Sequence, residues 1–516
     1  MVLVPVLLVL LVVLVKVLVV LATILVSLLS MLGCRAPARA LCTSVARLGG
    51  QKAKRRKQRQ RAENPHLPVR SVDATATSAA LAHFDDFYGG VYKAKWPSMR
   101  LALLSQAKHC ALVNNFGDME ATVEMLEELG CLDIGAEFLK AQEKQRPFQP
   151  KRAVLSEGLC EKEVEEQEEE AARRQERSTT LEVEAAAGRL VEPEERVMGG
   201  GASPALYDFV PPTTLKGMEE FVEEADYYSY YKQLDSREVR CVVEPELAWP
   251  AALRALALPR GVVERLPRPR PGALGTLGYY CMDAASLLPV LALDLKPGQA
   301  VLDMCAGPGG KTLAILQTLC PASLVCNDVD RDRVKRVINV LDQFVGREDG
   351  AGGIGGVRAT VRLSRQDGAT MVDYEAYDRV LVDAPCYTDR HAVNHDDSNV
   401  FVKQQIKDRL KMPERQAELL KAGLTLLKPG GCLVYSTCTL SPVQNDGVVH
   451  MALRSLWEET TLDFEVCDLS EAVKPFRFLC KLHGRQEGLK YGQLVVPFLP
   501  NNFGPMYFAK IRRLPK

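Results

Sequence analysis

The chain has 516 residues, 47% of them hydrophobic and 25% charged, which is enough apolar material for two to four ordinary domains and rules out a minimal disulfide module. Lys plus Arg and Asp plus Glu number 65 each, so the whole chain makes no electrostatic claim on nucleic acid, membrane or acidic substrates, and any such claim must be local. Fifteen cysteines include no C-x-x-C pair, which argues against a zinc finger or a thioredoxin-type site and predicts free thiols in a reducing compartment.

Residues 1–62 read as a leader. From Val2 to Leu32 the only charge is Lys16, a run long enough for a bilayer, where roughly 20 apolar residues suffice. Residues 35–61 then carry Arg35, Arg39, Arg47, Lys52, Lys54, Arg55, Arg56, Lys57, Arg59 and Arg61, with no Asp or Glu before Glu63, as in a mitochondrial presequence. The two signals conflict. Either translation starts at Met31 and the segment directs the chain to the mitochondrial matrix, or residues 2–32 anchor it in a membrane.

Residues 63–150 read as a helical region, with apolar positions near helical spacing from Met99 to Leu104 and from Ala121 to Leu129. Residues 151–205 read as an acidic linker: 14 Glu stand against 6 Lys or Arg between Glu157 and Arg196, before the break at Gly199, Gly200 and Gly201. Residues 206–270 form an irregular connector. Its Tyr227, Tyr228, Tyr230 and Tyr231 lie beside Glu223, Glu224 and Asp226, acidic neighbours that suit docking on a protein surface better than stacking on bases. Pro and Arg alternate from Pro259 to Pro271, which makes an extended basic stretch.

Residues 271–516 carry the chemistry and read as a doubly wound, mostly parallel α/β sheet with an antiparallel edge hairpin. Ala300 to Met304 is a short apolar strand that enters Cys305-Ala306-Gly307-Pro308-Gly309-Gly310-Lys311, and Thr312 to Leu319 reads as the following helix. Glycines there let backbone N–H groups approach a ligand at the positive end of that helix. The spacing differs from that of a phosphate loop, and Pro308 removes a donor, so ATP is disfavoured. A second strand, Ser323 to Asn327, ends at Asp328, where such folds place an acid for a ribose diol. A third, Val357 to Leu363, leads to Asp367, and a fourth, Arg379 to Val382, to Asp383-Ala384-Pro385-Cys386. Pro413 to Leu427 is an amphipathic helix closed by Pro429-Gly430-Gly431, and a fifth strand, Cys432 to Ser436, delivers Thr437 and Cys438. Leu494 to Leu499 and Met506 to Arg512 read as the hairpin.

Three of these motifs resemble the Sun-type RNA cytosine-5 methyltransferases: Asp303 to Lys311, Asp383-Ala384-Pro385-Cys386 and Tyr435-Ser436-Thr437-Cys438-Thr439. Tyr279 to Ser286, Thr388-Asp389-Arg390-His391 and Asn502 to Phe508 are similar to the mitochondrial branch of that family that acts on small-subunit ribosomal RNA. Tyr387-Thr388 replaces the Ser-Gly that often follows the first motif cysteine. The resemblance implies a Rossmann-like catalytic domain over about half the chain and S-adenosyl-L-methionine as cofactor. Gly309, Gly310 and Lys311 would lie around its methionine end, Asp328 on the ribose, Asp367 on the adenine and Arg333 nearby.

The resemblance further implies methylation at carbon 5 of cytosine through a covalent adduct, because that carbon is not nucleophilic enough until a thiolate adds to carbon 6. Cys438 would be the nucleophile and Cys386 the helper in product release; the reverse assignment, with the Pro-Cys cysteine attacking as in the DNA enzymes, stays open. Asp383 would hold or protonate the ring edge. No metal is expected. Residues 260–516 carry 33 Lys or Arg against 29 Asp or Glu, little charge for gripping folded RNA. The resemblance therefore implies, besides ribosomal RNA and mitochondrial ribosomal subunits, a basic helical-repeat partner of the mitochondrial transcription-termination-factor type, docked on the N-terminal helices and the Tyr227–Tyr231 stretch. Patches around Arg265, Arg268 and Arg270 and from Lys403 to Lys411 are the alternative grip. A non-catalytic assembly factor, or a transfer-RNA methyltransferase, is the competing reading of the same residues.

Overall fold

A computed structural model describes residues 75–145, 239–273, 275–346 and 357–515. The leader, the acidic linker and the tyrosine cluster lie outside these residues.

The region expected to be helical opens with α1 (Ala76–Tyr92) and α2 (Trp96–Leu104), and the hydroxyl of Thr75 caps α1 by accepting from the Ser78 N–H. It is not purely helical, however. Cys110–Val113 forms strand β1, followed by α3 (Met119–Glu128), β2 (Leu132–Asp133) and α4 (Ile134–Gln145). All four β1 residues are buried, which a run of Cys, Ala, Leu and Val permits. After β3 (Cys241–Val243) comes β4 (Ala255–Ala257), then β5 (Tyr279–Met282). Strand β1 pairs antiparallel with both β4 and β5, so residues 110–113 and 279–282 share one sheet of order β2-β4-β1-β5.

The second sheet holds the expected α/β succession. Helix α5 (Leu287–Ala292) precedes β6 (Gln299–Asp303), α6 (Gly310–Gln317), β7 (Pro321–Asn327), α7 (Arg331–Phe344), β8 (Val361–Ser364) and β9 (Tyr377–Asp383). Short helices α8 (Asp389–Asn394) and α9 (Ile406–Leu410) lead to α10 (Met412–Leu426), β10 (Leu427–Thr437) and α11 (Asp446–Glu459). The chain finishes with β11 (Phe464–Asp468), β12 (Lys481–His483), β13 (Gln493–Val496) and β14 (Met506–Arg513). Strands run β12-β13-β14-β10-β9-β6-β7-β8, with β11 paired to β14 and β3 paired to β11. From β8 to β10 every pair is parallel. The expected β13/β14 antiparallel hairpin is present, but β14 also pairs with β10, and the sheet continues past β13 into β12.

Most strand and helix ends shift by one to three residues from the sequence reading, and two strand starts by more. The third strand begins at Val361 rather than Val357, because Thr360 turns back on the Val357 carbonyl through both its N–H and its hydroxyl, closing a 3-10 turn over Arg358–Thr360. The fifth begins at Leu427, and the Gly430-Gly431 segment expected as a break is a register shift within β10.

Alternation along the central strands assigns their side chains to two cores. Leu302, Val380, Val382, Leu433 and Tyr435 face one, with α1, α10 and α11; Val301, Leu381 and Val434 face the other, with α5, α6 and α7. A sheet covered on both faces exposes only its strand ends to ligands. Chain order reverses between β6 and β9, the place where open parallel sheets form a crevice at their carboxyl ends.

Candidate active site

Strand β6 ends at Asp303 and β9 at Asp383, on either side of that crevice, and β10 delivers Cys438 next to β9. Asp303 is buried; its Oδ2 accepts from the Thr312 hydroxyl at 2.6 Å, while its Oδ1 has no hydrogen-bond partner among the described residues. Burial pushes its pKa up to about 7. The turn that follows is shaped by what its glycines leave out. Gly309 caps α6 at φ 110°, a left-handed conformation, and a Cβ on Gly307 would lie 2.5 Å from the Arg333 Cβ and 2.7 Å from Asp328 Oδ2. Asp328 is buried and held by the N–H groups of Gly307 and Asp330 at 3.1 and 2.9 Å. Arg333 is exposed on the first turn of α7, whose start Asp330 caps by accepting from the Asp332 and Arg333 N–H groups. Oδ1 of Asp367 accepts from Arg415 and from the Ala369 N–H.

A cavity of about 230 Å³ lies along this turn, lined among others by Asp303, Gly307, Gly310, Lys311, Asp383 and Tyr280. The structure thus brings Gly310, Lys311 and Asp383 to one wall; Gly309, Asp328, Arg333 and Asp367 stand outside that lining. The donor set fits S-adenosyl-L-methionine. A buried carboxylate oxygen without a partner suits an ammonium group, and a glycine turn at a helix N-terminus suits close backbone approach.

The thiol side is equally ordered. The sulfur atoms of Cys386 and Cys438 are 3.3 Å apart, and the Cys438 N–H donates to Cys386 Sγ at 3.3 Å. Asp383 accepts from Lys311 Nζ at 2.8 Å and from the Ser436 hydroxyl at 2.7 Å. The hydrogen bond between Cys438 and Cys386, together with burial, pushes the Cys438 thiol well above the ordinary range. Burial works against the charge of Lys311, but Asp383 beside it holds the ammonium on, and the net shift is upward. A larger cleft of about 900 Å³ opens onto Cys438 and shares His109, Cys281, Asp283 and Ser286 with the smaller cavity.

Several wall residues went unassigned in the sequence reading. Asp283 accepts from the Gly504 N–H at 2.8 Å. Arg390 donates to the carbonyls of Ala102, Ser105 and Gly504 and to Asn502 Oδ1, tying α2 and the loop before β14 to the thiol side. Both belong to segments noted for their likeness to a known branch, but nothing local marks their partners. His109 had no signal at all, being a lone histidine after a helix. Of the basic patches, Arg265 is exposed in the wall of the larger cleft and bonds Gln106 at 3.1 Å, Arg268 and Arg270 are exposed, and Arg409 lies over the Phe401 ring at 4.6 Å.

Comparison with known proteins identifies the family. Residues 290–511 match the family described as 16S rRNA methyltransferase RsmB/F. The chain is 35% identical to 5-cytosine rRNA methyltransferase NSUN4 of Mus musculus, over 86% of this chain and 90% of that protein. It is 36% identical to the mitochondrial tRNA (cytosine(34)-C(5))-methyltransferase of Mus musculus, over 48% of this chain and 68% of that one. Among solved structures, a methyltransferase homolog protein from Pyrococcus horikoshii is similar at 20% identity and a TM-score of 0.45, covering 86% of this chain and all of that one. With the family match spanning both the glycine turn and the thiol pair, and the Mus musculus rRNA methyltransferase covered over nine-tenths of its length, the chain belongs to the RsmB/F, or Sun-type, family of S-adenosylmethionine-dependent RNA cytosine-5 methyltransferases.

Proposed function

We propose that the protein methylates carbon 5 of a cytosine in mitochondrial small-subunit ribosomal RNA through a covalent adduct on Cys438, and that it takes part in assembly of that subunit. The observation that carries the chemistry is the 3.3 Å approach of two thiols beside the Lys311–Asp383 pair. The ribosomal substrate rests on likeness to the relatives named for ribosomal RNA, and the compartment on the basic, acid-free segment of residues 35–61. When bound, S-adenosyl-L-methionine supplies an activated methyl group. Gly310, Lys311 and Asp303, which line the smaller cavity, would hold it, and Asp328, Arg333 and Asp367 would serve its ribose and adenine.

Cys438 rests as a thiol and passes its proton to water in the larger cleft as the base enters. Its sulfur then bonds carbon 6 and the displaced electron pair enriches carbon 5. Asp383, already accepting from Lys311 and Ser436, acts as an acceptor for the amino edge of the ring rather than as a proton donor. After methylation carbon 5 gives up its proton to water in the same cleft, the pair restores the ring double bond, and the Cys438 sulfur leaves as a thiolate that takes a proton back from the cleft. Cys386 lies within reach to serve that release. The target base must leave its stack to lie between the two cavities, so loop or single-stranded RNA is the cheaper substrate.

The test is methyl transfer from labelled cofactor to mitochondrial ribosomal RNA, compared between wild type and Cys438→Ala, with bisulfite sequencing of mitochondrial RNA after loss of the protein. Equal labelling by the variant defeats the nucleophile assignment, and loss of 5-methylcytosine in transfer RNA alone redirects the substrate. Mapping the mature N-terminus decides between matrix and membrane; among the described residues no helix is long and apolar enough to cross a bilayer. A helical-repeat partner is expected to raise RNA affinity and steepen its salt dependence.

A further inference from the structure

Three residues beyond Cys386 the chain places a carboxylate, Asp389, with no solvent exposure. Its Oδ1 accepts from the Thr439 hydroxyl at 2.7 Å, and its Oδ2 accepts from the Leu440 N–H at 2.7 Å and the Tyr88 hydroxyl at 2.9 Å. Thr439 and Leu440 directly follow Cys438. One side chain therefore joins the turn after one thiol to the turn after the other. Helix α1 closes the arrangement: Tyr88 Oη lies 3.1 Å from the Thr439 hydroxyl, and Tyr92 donates to the Leu440 carbonyl at 2.6 Å. On the other flank of Cys438, the Thr437 hydroxyl meets Asn445 Oδ1 at 2.6 Å while Asn445 Nδ2 donates to the Thr439 carbonyl at 3.0 Å.

Energetics make this placement informative. A buried carboxylate costs several kcal/mol unless its lone pairs are filled, and the hydrogen bonds to Asp389 come from neutral donors. Burial pushes its pKa up to about 6, while those donors pull it back. Such a group contributes little net stability compared with an apolar side chain of the same shape, and what it does contribute is a fixed geometry.

We propose that Asp389, with Tyr88 and Thr439, is a positioning device that holds Cys386 and Cys438 in reacting register, which makes helix α1 part of the catalytic apparatus. It rests on the reading of the thiol pair given above. The three residues act through the cysteines and touch no substrate atom. Displacing a thiol by about 1 Å from its line of attack costs on the order of a hundredfold in rate, so small changes in this network reach the chemistry.

The experiment uses the full chain and four variants, Asp389→Asn, Thr439→Val, Thr439→Ser and Tyr88→Phe, read by kcat, KM for RNA, cofactor affinity by calorimetry, and the alkylation rate of Cys438 mapped by mass spectrometry. Thr439→Val and Asp389→Asn are expected to lose on the order of tenfold to a hundredfold in kcat with KM and cofactor affinity within about twofold, and to change Cys438 alkylation. Thr439→Ser keeps the hydroxyl and should restore both, and Tyr88→Phe should lose a few-fold. Should Asp389→Asn fail to fold, Thr439→Val and Tyr88→Phe carry the test, since each removes one hydroxyl from the network. The proposal is overturned if those two lower the melting temperature alone, with kcat and Cys438 alkylation at wild-type values, or if Thr439→Ser behaves like Thr439→Val. Retained methylation by Cys438→Ala would sink the reading of the nucleophile, yet alkylation of Cys438 would still report whether Asp389 positions it.

Discussion

The two halves of the active site are built in opposite ways. The cofactor side, from Asp303 through Gly307 and Lys311 to Asp328, comes from one strand-turn-helix-strand unit within 26 residues of sequence; the bonds of Thr312 to Asp303 and of Gly307 to Asp328 close inside it, and Lys311 reaches out of it to Asp383. On the thiol side β9, β10, the turn before α8, helix α1 and the loop before β14 converge, through bonds that span 301, 351 and 112 positions. The first half is shaped by what backbone and glycine permit locally, so it is set once the unit forms. The second depends on tertiary packing, and a change at Tyr88 reaches a cysteine 350 positions away. Damage to one half should therefore leave the other intact.

The strongest test of that separation is Cys438→Ala. Methyl transfer should fall by at least about a thousandfold, the loss expected when a covalent nucleophile is removed, while calorimetric cofactor affinity stays within about twofold. A parallel collapse of cofactor binding would break the comparison. Gly307→Ala is the converse. Its Cβ has no room beside Arg333 and Asp328, and overpacking of this kind costs roughly 1–3 kcal/mol, so cofactor affinity should drop on the order of tenfold or more. Alkylation of Cys438 in that variant should match wild type.

Asp303 gives a pH-dependent handle on the cofactor half. Its pKa rises from the ordinary 3.8 to about 7, so the folded state keeps a proton that the unfolded chain has already released. Stability from this group is present at the acid end and lost as pH rises toward 7, up to roughly 4 kcal/mol for a shift of this size. Asp303→Asn should thus gain in melting temperature relative to wild type between pH 4.5 and pH 8, and saturating cofactor should narrow the gap by giving the wild-type carboxylate a cation. A difference independent of pH would remove Asp303 from that role. Asp330→Ala is the mildest probe. Loss of the α7 cap should cost about 1 kcal/mol in thermal unfolding, with cofactor affinity lowered slightly and thiol alkylation unchanged.

Legibility in the sequence divides along the same line. Strand, glycine turn, helix and terminal acid follow one another in the chain, so periodicity and residue type sufficed to place Asp303 to Lys311, Asp328 and Asp383 at strand ends. The two cysteines could be set at the ends of neighbouring strands because β9 and β10 each read as short apolar runs. Strand β1 was missed because four apolar residues between helices carry no period of their own, and only pairing with β4 and β5 makes them a strand. The hairpin was legible as a hairpin, yet whether β14 lies at an edge depends on which strands pack beside it.

Sequence by itself determined the chemistry on offer: a glycine turn with an acid after it, two thiols, and an aspartate before one of them, all of which follow from residue type and short-range spacing. Tertiary structure alone decided how those groups meet. The 3.3 Å thiol contact, the Lys311–Asp383 pair and the bonds of Asp389 each join residues 50 or more positions apart. No local periodicity encodes such distances, because they arise from strand order and from helices packing both faces of a shared sheet, where the burial of many side chains fixes the position of a few.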